Sequence, residues 1–87
     1  MTVATTPTVV MYSLTTCGWC AKAKAFFRAR GIDPLVVEYD MAAPDLQAKL
    51  AAEMREHGAD GFPFVKIGRN VVRGFSPGEY ERYLRAA

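Results

Sequence analysis

The sequence predicts an α/β fold in which helices cover both faces of a four-stranded mixed sheet. Short apolar, β-branched segments alternate with helical segments along the first part of the chain. Two further apolar segments, near the C-terminal end, are separated only by a tight turn and are followed by another helical segment. The predicted order is therefore β-α-β-α-β-β-α, with a right-handed parallel β-α-β unit and an antiparallel terminal hairpin.

The first predicted strand and helix lie on either side of a turn. Residues 8–13 are short, apolar and rich in β-branched side chains, as expected of a buried strand. Residues 21–30 are rich in helix formers, and Gly31 is a typical helix end. We therefore expect a strand-to-helix turn between these two segments.

The second predicted strand and helix follow in the same order. Residues 35–39 begin with a continuous apolar run, which predicts a strand that is buried on both faces. A loop over residues 40–43 leads to Pro44, which suits the first turn of a helix that ends at Gly58. The expected buried face of this helix consists of residues four positions apart, namely Leu46, Leu50 and Met54.

The C-terminal part of the chain predicts a hairpin and a last helix. Residues 64–67 and 71–73 are expected to form antiparallel strands around a tight turn. Ser76 and Glu79 have the spacing of a capping box, with Pro77 at the first helical position. The apolar face of this helix consists of Tyr80, Tyr83 and Leu84.

Length and composition indicate one domain. Residues 1–7 form a polar lead-in that we expect to be flexible, and residues 8–87 are expected to form a single domain. A net charge of +2 with scattered basic residues argues against binding to nucleic acid or to a membrane. No apolar stretch approaches the roughly 20 residues of a membrane span. The N-terminus lacks the basic and apolar regions of a signal peptide, so we expect a cytoplasmic protein.

Cys17 and Cys20 are the two cysteines of the chain, and both lie at the predicted strand-to-helix turn. A helix N-terminus has unpaired N–H groups and a positive dipole end that stabilise a thiolate, so Cys17 is expected to be the activated thiol. Cys20 lies about one helical turn further on, where we expect a sheltered sulfur that can attack a mixed disulfide on Cys17. A zinc site needs four ligands, and the pair with distant His57 offers three, so no metal site is expected.

Three stretches of the sequence carry a resemblance to a known family. They precede the first helix, the hairpin and the last helix, and they are Tyr12-Ser13-Leu14-Thr15-Thr16-Cys17-Gly18-Trp19-Cys20, Phe62-Pro63 and Gly74-Phe75. In this order they resemble the thioredoxin fold and, because the chain is short, the glutaredoxin family. The resemblance implies a glutaredoxin-type thiol–disulfide oxidoreductase that reduces protein or glutathione mixed disulfides through Cys17 and Cys20.

The resemblance also implies a substrate groove beside Cys17. In the family the proline before the hairpin is cis and faces the active-site sulfur, so we expect a cis Phe62–Pro63 bond next to Cys17. The backbone of Phe62 is then expected to pair with the cysteinyl part of a thiol substrate, as an added strand does. An exposed Trp19 is expected to belong to the docking surface. The substrate-binding residues implied in this way are Gly18, Trp19, Phe62, Pro63, Gly74, Phe75 and Ser76.

The sequence leaves two reductants open, glutathione and thioredoxin reductase. Many glutaredoxins carry a lysine three residues before the first cysteine, where it reaches a carboxylate of glutathione, whereas this chain has Leu14. The segment Gly74-Phe75-Ser76-Pro77 resembles that of glutaredoxin-like redoxins, which serve ribonucleotide reductase and are reduced by thioredoxin reductase. The Cys-Gly-Trp-Cys motif is nearer to that of glutaredoxins, which favours glutathione as a weakly used co-substrate.

A function of another class is also open. Some glutaredoxins with glycine after the first cysteine hold a [2Fe–2S] cluster between two chains, with glutathione as a further ligand, and Gly18 occupies that position here. A cluster carrier is therefore the alternative to a redox enzyme. Apart from such a cluster we expect no tightly bound cofactor, a monomeric chain, and disulfide-containing proteins as partners.

Overall fold

A computed structural model describes residues 7–85, so the expected flexible lead-in lies outside the described residues except for Pro7. Within this range the elements follow the predicted order. They are β1 (Val9–Ser13), α1 (Gly18–Arg28), β2 (Leu35–Glu38), a single 3-10 turn (Tyr39–Met41), α2 (Pro44–Glu56), β3 (Phe64–Ile67), β4 (Asn70–Arg73) and α3 (Pro77–Arg85). Between residues 7 and 85, no helix has both the length and the apolar character needed to cross a membrane.

The four strands form one mixed sheet with the order β2-β1-β3-β4. β1 and β2 are parallel, whereas β3 is antiparallel to both β1 and β4, which confirms the predicted fold class. In this register Ser13 lies opposite Glu38, and Tyr12 lies opposite Phe64. The ends of β1 and β2 and the start of β3 therefore meet at one edge of the sheet.

The core lies on both faces of the sheet. On one face, Phe27 of α1 and Tyr80 of α3 pack against Met11 of β1. On the other face, Leu50 and Met54 of α2 pack with the next residue of β1, Tyr12, and with Phe64 of β3. Successive strand residues point to opposite faces, so one strand contributes to both clusters.

Two predictions about buried residues are wrong. β2 is an edge strand, and Leu35 is 62% exposed, because β2 has a neighbour only on its β1 side. The strand also ends at Glu38, one residue before the predicted end. In α2, Leu50 and Met54 are buried as expected, but Leu46 in the first turn is 41% exposed.

A polar contact fixes α2 to the sheet. The Tyr12 hydroxyl donates to a carboxylate oxygen of Glu53 in α2 at 2.6 Å. Lys66 of β3 donates to the other oxygen of Glu53 and to the Tyr12 hydroxyl, both at 2.8 Å. Because all three groups are at least partly buried and satisfied by one another, they hold α2 at a defined position over the sheet.

Candidate active site

Cys17 caps the N-terminus of α1. Its backbone is extended, with φ of −91° and ψ of 114°, and α1 begins at the next residue, Gly18. The backbone N–H of Cys20 donates to the Cys17 Sγ at 3.1 Å. Cys17 therefore lies at the start of a helix, as the sequence predicted, with a backbone N–H directed at its sulfur.

Cys20 is the sheltered sulfur of the pair. It is fully buried, whereas Cys17 is partly exposed, and both are free thiols. Burial, followed by the hydrogen bond with the Cys17 side chain, raises the pKa of the Cys20 thiol to about 11. The raised pKa keeps the Cys20 thiol protonated at neutral pH, and Cys17 is the more accessible of the two sulfurs.

The Phe62–Pro63 segment lies against Cys17. The Phe62–Pro63 peptide bond is cis, as expected, and the Cys17 Sγ lies 3.9 Å from the carbonyl oxygen of Phe62. Gly74 donates its backbone N–H to the carbonyl oxygen of Pro63 at 2.8 Å. Within residues 7–85 the backbone N–H of Phe62 has no hydrogen-bond acceptor, so it is available to a ligand.

Trp19 and Phe75 form an aromatic platform beside Cys17. Their rings stack with centroids 5.7 Å apart, and Trp19 is 57% exposed. The Lys22 ammonium lies 4.6 Å from the centre of the Trp19 ring, a cation–π contact. An exposed aromatic surface with a positive rim next to a nucleophile suits a docking surface, although the docking role stays a prediction.

Tyr80 supports the platform from below, and sequence reasoning did not identify it as a site residue. Its hydroxyl donates to the carbonyl oxygen of Gly74 at 2.6 Å, and its ring meets the Phe75 ring edge-on at 6.0 Å. Burial raises the pKa of Tyr80, so the hydroxyl remains a donor. Gly74 has φ of 82°, a conformation that favours glycine. The helical spacing of Tyr80 predicts a buried face but not this partner.

A family model described as glutaredoxin matches residues 9–72, which include both cysteines and the Phe62–Pro63 segment. This chain belongs to the glutaredoxin family. The family supports a thiol–disulfide oxidoreductase activity in general, and the paired cysteines at the start of α1 are the residues that fit it.

Individual relatives agree with this assignment. This chain is 30% identical over 77 residues to a glutaredoxin-like 8.6 kDa protein in the rubredoxin operon of Clostridium pasteurianum, covering 87% of this chain and 96% of the relative. The glutaredoxin of Methanosarcina mazei Go1 has a TM-score of 0.80 at 28% identity, with 90% and 78% of the two chains covered. A buckwheat glutaredoxin–glutathione complex has a TM-score of 0.76 at 26% identity, with 92% and 78% covered.

Polar contacts hold the segment that leads to Cys17 in this glutaredoxin. The buried Ser13 hydroxyl donates to the Glu38 carboxylate, which also accepts from Lys24 of α1 at 3.0 Å. The Ser13 hydrogen bond, aided by Lys24, holds the pKa of Glu38 below its usual value. The backbone N–H of Thr15 donates to Asp40 at 3.1 Å. These contacts therefore fix the part of the loop that follows β1.

Gly18 and Ser76, the other site residues that the resemblance implies, lie at the starts of α1 and α3. Gly18 is the first residue of α1, and a Cβ built at this position would have open space around it. Ser76 precedes α3, and its carbonyl oxygen accepts the N–H of Tyr80 at 3.0 Å. Among residues 7–85 there is no group of three or more His, Cys, Asp or Glu side chains placed to hold a metal ion.

Replacing Tyr80 with Phe tests how much the hydrogen bond from the Tyr80 hydroxyl to Gly74 contributes to stability. The substitution removes the hydroxyl and leaves the Gly74 carbonyl without that donor, so we expect a loss of about 1–2 kcal/mol of unfolding free energy. Urea unfolding followed by Trp19 fluorescence measures it, because Trp19 is the single tryptophan and stacks on Phe75. Tyr83→Phe in the same helix is the control, and equal midpoints for the two variants would contradict the prediction.

Proposed function

We propose that this glutaredoxin reduces disulfides of proteins, and mixed disulfides of glutathione, through Cys17 and Cys20. One observation carries the proposal. The Cys17 Sγ lies between the N–H of Cys20, at 3.1 Å, and the carbonyl oxygen of Phe62, at 3.9 Å. A partly exposed sulfur at a helix N-terminus, next to a backbone segment with an unused N–H, is suited to attack a disulfide held by strand-like pairing.

In the first step the Cys17 thiolate attacks one sulfur of the substrate disulfide. A bond forms between Cys17 and that sulfur, the substrate S–S bond breaks, and the other sulfur leaves as a thiolate. The backbone N–H of Phe62 is positioned to pair with the backbone of the cysteine that becomes attached to Cys17. Trp19 and Phe75 supply an apolar surface for the residues around that cysteine.

In the second step Cys20 resolves the mixed disulfide. Cys20 loses its proton and attacks the Cys17 Sγ, the bond between Cys17 and the substrate breaks, and the substrate leaves as a reduced thiolate. Two electrons have then passed from the dithiol to the substrate, and Cys17 and Cys20 are joined by a disulfide. An external thiol or a reductase must supply two electrons to restore the dithiol.

Glutathione is the reductant that we propose, with weak use. The N-terminus of α3 and the Phe62 backbone offer N–H groups to an anionic tripeptide. Leu14, by contrast, offers no charge at the position where many glutaredoxins have a lysine, and Asp60 just before Phe62 repels a carboxylate. The buckwheat glutaredoxin is described in complex with glutathione, which supports this choice over thioredoxin reductase.

A comparison of reductants tests the proposal. The oxidised protein is supplied with NADPH in two separate systems, and NADPH consumption is followed. One system contains glutathione and glutathione reductase, and the other contains thioredoxin reductase. Turnover in the glutathione system supports the proposed co-substrate. Efficient turnover only with thioredoxin reductase would place the chain with the redoxins that serve ribonucleotide reductase. Failure of both systems would contradict both reductants, and failure to reduce an authentic disulfide substrate with dithiothreitol as well would contradict the oxidoreductase function itself.

Replacing Leu14 with Lys is expected to raise the efficiency of glutathione use about tenfold. The new ammonium can form a charge-assisted hydrogen bond with a glutathione carboxylate, and about 1.4 kcal/mol corresponds to that factor. The measurement is kcat/KM for glutathione in the glutathione reductase system. Leu35→Lys is the matched control, because Leu35 is exposed on the edge strand and the charge change is identical. Equal gains in both variants would point to net charge rather than to position 14.

A cluster carrier is the second function that we propose, on one observation. The space beside Gly18, next to Cys17, is open, so a bulky group can approach the Cys17 sulfur. Each chain would supply one thiolate, and glutathione would supply the other ligands. Purification without oxygen in the presence of glutathione tests this. A coloured protein that loses its colour in the Cys17→Ser variant supports the alternative, and a colourless wild type contradicts it.

A further inference from the structure

The Phe62 segment adjoins a cavity, and one of the residues that line it, Arg73, has no part in the reaction described above. The cavity, of about 260 Å³, lies between the end of β4 and the loop from α2 to β3. It is lined by Ala59, Asp60, Gly61, Phe62, Arg73 and Gly74. Phe62 connects this cavity to the reacting sulfur, because its carbonyl oxygen lies 3.9 Å from the Cys17 Sγ. A substrate residue next to the reacting cysteine can therefore reach the cavity.

The side chain of Arg73 is exposed, and one hydrogen bond anchors it at this cavity. It is the last residue of β4, opposite Phe64, and its Nη1 donates to the carbonyl oxygen of Gly58 at 3.1 Å. The guanidinium also packs closely on Gly58, since a Cβ built there would lie 3.2 Å from the same nitrogen. Within residues 7–85 the Nε and Nη2 groups of Arg73 have no acceptor and no carboxylate within 4.0 Å. A pre-organised guanidinium with unused donors is suited to a carboxylate.

We propose that Arg73 is a specificity residue that selects disulfide substrates with a carboxylate-bearing residue beside the reacting cysteine. The proposal rests on the function proposed above, because it needs the substrate cysteine on Cys17 and substrate backbone on Phe62. The cysteine then occupies the groove, and the flanking carboxylate accepts hydrogen bonds from the free donors of Arg73. Lys22, on the Trp19 side of Cys17, adds a second positive charge toward an acidic substrate.

Asp60 sets the size of this preference. It lines the same cavity as Arg73, forms no ion pair with it, and therefore opposes an incoming carboxylate. The selection for acidic substrates is the difference between the two effects. Removing the Asp60 charge should strengthen the preference, and removing the Arg73 charge should abolish it.

The test uses disulfide-linked peptides with blocked termini and the sequence Gly-Xaa-Cys-Xaa-Gly, in which Xaa is Asp, Asn or Lys. Dithiothreitol, which is uncharged, supplies the electrons, so the test does not depend on the physiological reductant. The kcat/KM of each peptide is measured after subtraction of the uncatalysed rate. For the wild type we expect the Asp peptide to exceed the Asn peptide by roughly fivefold at low salt, near the upper limit for an exposed ion pair. The ratio should fall at high salt.

Three variants decide the assignment. Arg73→Gln should bring the Asp:Asn ratio to one or below, because the Asp60 charge remains, and Asp60→Asn should raise the ratio. Arg69→Gln, which removes the same charge at the turn of the same hairpin, should leave the ratio unchanged. A wild type without preference, or an Arg73→Gln variant that keeps it, overturns the proposal while the Asn peptide still reports an active oxidoreductase. No reduction of any peptide would instead overturn the proposed function and this inference with it.

Discussion

Replacing Cys17 with Ser is expected to abolish mixed-disulfide formation, whereas replacing Cys20 with Ser is expected to stop the reaction one step later. A serine hydroxyl is not ionised near neutral pH and forms no disulfide, so the loss for Cys17→Ser should be about a thousandfold or more. Cys20→Ser keeps the attacking sulfur and its backbone N–H donor. It removes only the sulfur that resolves the intermediate, so the substrate should stay attached to Cys17.

Mass spectrometry of the protein after incubation with a disulfide peptide distinguishes these outcomes. We expect a mass increase of one half-peptide for Cys20→Ser, none for Cys17→Ser, and a Cys17–Cys20 disulfide for the wild type. Ala21→Ser, on the exposed side of α1, is a control for the added hydroxyl. A peptide attached to Cys20 in the Cys17→Ser variant, at the rate seen for Cys20→Ser, would reverse the assignment of the two sulfurs.

The location of the cysteines could be predicted because its signals are local. A β-branched strand, a short loop and a run of helix formers place Cys17 at the start of a helix, and the structure puts it at the N-cap. The spacing of the pair also places Cys20 one turn further on, toward the core. The contact between Cys17 and Phe62 links positions 45 residues apart. Family resemblance, rather than any local pattern, indicated it.

The burial of β2 could not be predicted from its composition. An apolar start describes the side chains of a strand but not its place in the sheet, and β2 lies at the edge. The same limit applies to α2, where the spacing of Leu46 fits the buried face but its position in the first turn leaves it exposed. Strand order and helix ends are set by tertiary packing, which a single segment does not encode.

Polar partners of side chains were the least predictable part of the site. The buried face of α3 was predicted correctly, but the bond from the Tyr80 hydroxyl to Gly74 depends on where a loop with positive φ passes. The sequence likewise predicts that Arg73 ends a strand, but its hydrogen bond to the Gly58 carbonyl is formed only in the folded chain. Periodicity predicts which way a side chain faces, whereas its hydrogen-bond partner depends on the backbone it meets there.

The reactivity of Cys20 toward an alkylating agent is expected to depend on pH in a way that reports its burial. Only the thiolate reacts, and burial is the main cause that raises the pKa of Cys20 from its ordinary value of 9.0 to about 11. At pH 7 the thiolate fraction should thus be about a hundredfold lower in the folded protein than in the unfolded chain. Between pH 7 and 10 its labelling rate should rise about tenfold per unit, because the thiolate fraction does so below the pKa.

Iodoacetamide labelling of the reduced protein, followed by peptide mapping, measures this rate at each cysteine. In folded protein Cys17 should be labelled first, because it is partly exposed and Cys20 is fully buried. Labelling in concentrated urea is the control, since unfolding removes the burial that raises the pKa and should bring the two rates together. A labelling rate at Cys20 in folded protein that levels off near pH 9 would contradict the prediction. It would show that Cys20 ionises like an ordinary cysteine and that burial does not raise its pKa.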